Sequence, residues 1–109
     1  MQPELVRQLI EDLEAELNNG GFDQFFFNSA GDRTFETIVA LEAIGATHTA
    51  SIVRAAASKF PGGLPSSDRD VRQEQLESVS PELDAFEAED EAFLVYTEDL
   101  GTLVSIYAV

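Results

Sequence analysis

Residues 16–32, ELNNGGFDQFFFNSAGD, hold four of the chain's eight phenylalanines and three of its seven glycines. A chain of net charge −15 without cysteine or tryptophan has few ways to accommodate such a cluster. It is either a hinge that plugs an apolar core or the lining of a pocket. The local signals favour the plug. Asn18-Asn19-Gly20-Gly21 reads as a helix stop, because Asn and Gly accept the left-handed conformation that closes a helix. Gly20 and Gly21 are both expected at positive φ. A short helix over residues 22–29 then places Phe22, Phe25 and Phe26 on one face, with Gly31 as the next stop. Phe27 falls off that face and is expected to meet another element or a second chain.

Outward from this hinge the pattern is helical on both sides. Residues 3–18 start with Pro3 in the first turn, and Leu5, Leu9, Ile10, Leu13 and Leu17 form one stripe opposite Glu11, Asp12, Glu14 and Glu16. Asp32 or Thr34 is expected to cap a helix over residues 34–44 bearing Phe35, Ile38, Val39 and Leu41, ended by Gly45. Thr47 is expected to cap the next, through Phe60, whose Ala50, Ala55, Ala56 and Ala57 allow close approach of a neighbour. PGGLPSSD, residues 61–68, is a loop. Ser67 and Asp70 have capping-box spacing before a helix reaching about Ser78. Ser80-Pro81 reads as a cap and first-turn proline opening a helix to Tyr96, broken near Asp90. Thr97 is expected to cap the last helix. No stretch alternates as a half-buried strand would, although LVSIYAV is β-prone in composition. The expectation is an all-α single domain over residues 1–109, of roughly six or seven short helices.

The charge is unevenly spread. Residues 1–32 carry seven acids and one base, residues 33–72 four acids and five bases, and residues 73–109 ten acids and no base. Proteins that bind nucleic acid neutralise phosphates with clustered Lys and Arg, so direct DNA or RNA binding is excluded as an expectation. A partner with a basic surface would be attracted at long range. Acidity of this degree also simply keeps a domain soluble. No apolar run reaches the roughly 18 to 20 residues of a membrane span, and no signal peptide is visible at the start. A cytoplasmic location without membrane attachment is therefore expected.

Chemistry-bearing groups are sparse. His48 is the only histidine, and without cysteine no thiolate metal site or cysteine nucleophile can form. Glu87-Ala-Glu-Asp-Glu91 could hold a hard cation, but it lacks the loop spacing that orders such ligands. Asp68 and Asp70 sit beside Arg69 and Arg72 as local salt partners. FPGGLPS is not a phosphate cradle, and Ser29, Ser51 and Ser58 have no nucleophile-elbow context. No catalytic residue, metal site or cofactor is expected.

The segments NGGFDQFFFNSAGD, ALEAIGATHTASIVRAAASKFPGG and LDAFEAEDEAFLVYTEDLGTLVSIY together resemble one family, the acidic all-helical DNA-mimic proteins described from Neisseria, a domain otherwise of unknown function. Asn19, Gly20, Gly21, Phe22, Gln24, Phe25, Phe26 and Asn28 carry the most specific part of the likeness. Ala40, Leu41, Ile44, Gly45, Ala46, Ala50, Ile52, Ala56, Phe60 and Pro61 continue it, and Leu83, Asp84, Glu98, Asp99, Leu100, Leu103 and Tyr107 form a looser third block. The resemblance implies a dimeric helical domain whose carboxylates imitate DNA phosphates. It further implies that the acidic surface occupies the DNA-binding face of a helix-turn-helix repressor.

Geometry permits this. Duplex DNA carries one charge per about 1.7 Å of axis, and carboxylates three or four residues apart on a helix lie about 5 to 6 Å apart. Asp84, Glu87 and Glu91 have that spacing, as do Glu74 and Glu77, and Asp12 and Glu16. The same rows occur on any well-solvated acidic helix. The partner-binding acidic face is accordingly expected at Asp84, Glu87, Glu89, Asp90, Glu91, Glu98 and Asp99, with a basic DNA-binding protein as partner. A homodimer is expected through Phe27, Phe93 and Val95. Two alternatives stand beside this: a small-ligand site or enzyme using a pocket near Phe27, Asp32 and His48, or a dimeric domain of structural role alone.

Overall fold

Leu9, Ile10, Leu13 and Leu17 recur at intervals of three and four, and the helix they define, α1 (Pro3–Phe27), is the element around which the others assemble. The computed structural model describes residues 1–108. After α1 come α2 (Thr34–Ala43), α3 (Thr47–Ala57), α4 (Arg69–Val79), α5 (Glu87–Leu94) and α6 (Leu100–Tyr107), with short 3₁₀ turns at Ser29–Arg33 and Pro61–Gly63. The fold is all-α, with six helices, one of them bent, and no strand among the described residues. α1 packs on α2, α4, α5 and α6, and α3 packs on α2 and α5.

The hinge is narrower than expected. The helix runs through Asn18, Asn19 and Gly20 and turns only at Gly21 (φ 71°, ψ −165°), a conformation essentially confined to glycine. Side-chain bonds let the two asparagines stay helical: Asn18 Nδ2 donates to the Glu14 carbonyl at 2.7 Å, and Asn19 Nδ2 to Gln24 Oε1 at 3.0 Å. Gly20 is not at positive φ. The new segment opens with an N–H that lacks an intrahelical partner, and Asp90 Oδ1 accepts it from Phe22 at 2.8 Å. Gly21 is also needed for space, since a Cβ there would lie 2.5 Å from Asp90 Oδ2.

Beyond the hinge the plug forms as expected. Phe22, Phe25 and Phe26 are buried and meet Phe60, Phe86 and Phe93 in one aromatic cluster, with ring centroids 4.8 Å apart for Phe26–Phe60 and 5.2 Å for Phe26–Phe86. Such contacts contribute about 0.5–1.5 kcal/mol per pair beyond their area. Phe27 is exposed, and so is Phe35. Phe93, expected at a dimer face, belongs to the core.

Several helix ends differ from their sequence signals. Gly31 is no helix stop: a Cβ there would fall 2.7 Å from the Phe25 carbonyl and 2.8 Å from Arg72 Nε, so close approach is the reason for glycine. α2 has no side-chain cap, because Asp32 is paired with arginines and Thr34 Oγ1 donates to the Gly31 carbonyl. Its far end does close at Gly45 (φ 83°), with Gly45 N donating to Glu42 O and Ala46 N to Leu41 O. In α3, Ala50, Ala56 and Ala57 face the core but Ala55 is exposed. Asp68, not Ser67, caps α4, accepting from Val71 N at 3.0 Å.

Ser80-Pro81 opens no helix. Ser80 Oγ accepts from Ala85 N, five residues on, Leu83 turns to φ 58°, and α5 starts only after Phe86 has entered the core. Tyr96 turns to φ 52° while its hydroxyl accepts from Asn18 and donates to Glu14, and Asp99, not Thr97, caps α6. The β-prone C-terminal segment is helical through Tyr107.

Candidate interaction surface

Only three of the 21 acidic side chains, Asp32, Glu42 and Glu89, meet a cation among the described residues. Four of the six cations, Arg54, Lys59, Arg69 and Arg72, are held in those pairs, while Arg7 and Arg33 make no ion pair among the described residues. Arg72 is fully buried. Its Nε donates to the Phe26 carbonyl at 2.6 Å, Nη1 to the Ser66 carbonyl at 3.0 Å, and Nη2 to the Asn28 carbonyl at 2.9 Å and Asp32 Oδ1 at 2.7 Å. Arg69 reaches the other oxygen of Asp32, so neither arginine pairs with Asp68 or Asp70 as its sequence position implies. Hydrogen bonding from Arg69, with Arg72 adding charge and a second bond, holds the Asp32 carboxyl below its usual pKa despite some burial. Lys59 pairs with Glu89 at 2.6 Å, donates to the Ala85 carbonyl and lies 5.4 Å over the Phe86 ring.

The seven acids expected at the partner face divide into two groups. Asp84, Glu87 and Glu91 are exposed and free of cations, on and just before α5. The other four carry the fold as well as charge. Asp90 is half-buried against the hinge, and burial, with Asp23, Glu89 and Glu87 nearby, pushes its pKa up although Phe22 N–H binds the ionised form. Glu98 caps α3 from a distance in sequence: it accepts from His48 N at 3.2 Å, Thr49 N at 2.7 Å and Thr49 Oγ1 at 2.7 Å. Burial alone would raise its pKa, but these bonds outweigh it and the pKa is lowered. Asp99 accepts from the backbone and side chain of Thr102, which lowers its pKa. Glu89 holds Lys59.

Asp70, Glu74 and Glu77 add a second row, spaced four and three residues apart along α4. They line an open groove of about 770 Å³ between the end of α1, α4 and residues 80–83, together with Phe27, Leu76 and Leu83. A smaller pocket of about 250 Å³ lies at Asp12, Asp32 and Thr37. Phe27 lines the groove, Asp32 the smaller pocket and His48 neither, so the structure does not gather these three residues into one pocket. No group of three or more His, Cys, Asp or Glu side chains is placed to hold a metal among the described residues. No described helix is long and apolar enough to cross a membrane.

An all-helical domain in which most exposed carboxylates of α4 and α5 meet no cation is the class of protein that these features define. The chain belongs to the family of DMP19-like proteins, matching it over residues 2–109. Comparison with curated proteins and with solved structures returned no match. The NGGF segment of this chain thus has a structural basis in the Gly21–Asp90 hinge.

Proposed function

We propose that the protein is a non-enzymatic acidic interaction protein. In this reading its α4–α5 surface replaces DNA phosphates on the basic DNA-binding face of a helix-turn-helix transcription factor and keeps that factor off DNA. The observation that carries it is the run of ten acids and no base in residues 73–109, with Lys59 the cation that pairs with it. Membership of the DMP19-like family supports the same reading. Asp84, just before α5, with Glu87 and Glu91 on it, forms one group of exposed carboxylates, and Asp70, Glu74 and Glu77 form a row along α4. The protein acts in the cytoplasm as a symmetric dimer, paired through the exposed Leu94 and Val95 at the end of α5.

The test is capture of the partner from native extract at low and high salt, followed by competition with DNA. The complex should weaken steeply as salt rises, because exposed charges are screened beyond about 8 Å at physiological ionic strength. Replacing Asp84 with Asn and Glu87 and Glu91 with Gln, together, should weaken it while changing stability little, since all three are exposed and meet no cation. A partner that binds the triple variant equally well at both salt concentrations rules phosphate replacement out.

A further inference from the structure

Phosphate replacement calls for charge alone, yet the groove beside α4 offers more than charge. Leu76 lies at its base, and Phe27 and Leu83 stand at its edges with 53% and 72% of their surface exposed. The fold holds both edges in place. Gln73 Nε2 donates to the Phe27 carbonyl at 2.9 Å, and Leu83 N donates to Ser80 O at 3.1 Å with Leu83 in the left-handed region at φ 58°. A leucine kept in that conformation and turned to solvent contributes nothing to the core. Asp70, Glu74 and Glu77 line the same groove and no Lys or Arg does; the nearby Arg69 and Arg72 are engaged by Asp32.

We propose that this groove seats a short helical segment of a basic partner protein. One apolar side chain of that segment enters between Phe27 and Leu83, and Lys or Arg on its flanking turns meet Asp70, Glu74 and Glu77. A second copy of this chain is a poor occupant of the groove, since four of its six cations are already paired and its residues 73–109 offer no base to Asp70, Glu74 and Glu77. The proposed dimer pairs elsewhere, at Leu94 and Val95. The inference rests on the reading of the protein as an acidic binder of basic partners, and adds to it an apolar anchor and its location.

Two helical peptides of about 14 residues test it, identical in their Lys and Arg positions. One carries Leu along a single face, and the other carries Ser at the same positions. Fluorescence anisotropy should show the Leu peptide binding roughly tenfold or more tighter, as burial of one large apolar side chain provides. The difference should persist at about 0.5 M salt, where screening removes most of the shared electrostatic attraction. Phe27→Ser and Leu83→Ser should each reduce the difference without lowering the thermal melt, because both side chains are exposed. Equal affinity of the two peptides overturns the groove and leaves the acidic reading standing, whereas failure of both to bind overturns the two together. A fall from dimer to monomer on Phe27→Ser, seen by sedimentation, assigns the groove to a second copy and overturns the proposal.

Discussion

Replacing Gly21 with Ala strikes the hinge at two points at once. The backbone at φ 71° and ψ −165° lies in a region closed to residues with a Cβ, and forcing one there costs about 1–3 kcal/mol. The added carbon would also sit 2.5 Å from Asp90 Oδ2 and displace the carboxylate that accepts from Phe22 N at 2.8 Å. Loss of a hydrogen bond to a charged group costs a further ~1.5–3 kcal/mol. Together these predict a destabilisation of about 3–6 kcal/mol, against a total of about 5–15 kcal/mol for a domain of ordinary stability. Gly101→Ala is the control. Gly101 is exposed within α6, is not at positive φ, and its new Cβ would meet only Asp99 Oδ1 at 3.7 Å, so the change should stay within about 1 kcal/mol. Urea unfolding followed by far-ultraviolet circular dichroism measures both variants. On an Asp90→Ala background the Gly21→Ala penalty should shrink by about 1–3 kcal/mol, because the obstacle and the bond have already gone. Equal effects at the two glycines, or an unchanged penalty without Asp90, would refute the hinge as described.

Arg72→Ala should cost about 3–5 kcal/mol in the same unfolding assay, since it leaves the carbonyls of Phe26, Asn28 and Ser66 without their donor and Asp32 with Arg69 alone. Arg72→Lys should recover only a minor part, because one ammonium cannot reach across the planar fork of acceptors; full recovery would show that charge alone matters there. Glu98→Ala should cost about 0.5–2 kcal/mol at neutral pH through loss of the α3 cap. Glu98 has a lowered pKa in the fold, so its ionised form is favoured and its contribution is fully present above the ordinary value of 4.5. The gap between wild type and variant should therefore close as pH falls through the folded-state pKa. A gap that does not narrow as the solution is acidified below 4.5 would mean that Glu98 acts without its charge.

The parts of the fold that depend on neighbours in sequence were legible. The stripe from Leu9 to Leu17, the shared face of Phe22, Phe25 and Phe26, and the stop at Gly45 are all local patterns. The helix ends that misled are those whose orphan N–H groups are satisfied from far away. Asp90 serves Phe22, and Glu98 serves His48 and Thr49, so no cap stands where a local rule seeks one. Ser80-Pro81 carries every mark of a helix start, but the need to bury Phe86 and the turn at Leu83 override it. Arg72 looks like a surface salt partner because nothing in its neighbourhood shows the three carbonyls converging on it. Of the acidic face, the composition of residues 73–109 was plain in the sequence. Which carboxylates also hold the fold together depends on tertiary contacts that the spacing does not record.

The long-range caps bear on the order in which the chain can fold. Contacts between residues distant in sequence are slow to form, because a large loop must close before they help. The second half of α1 and the start of α3 both wait for carboxylates in the last fifth of the chain. During synthesis, which delivers the N-terminal part first, those two helix ends stay open to solvent until Asp90 and Glu98 have emerged. The acidic C-terminal third is thus the keystone of the N-terminal helices as well as the bearer of charge. Changes among its exposed carboxylates leave the domain folded, but losing the segment would loosen α1 and α3.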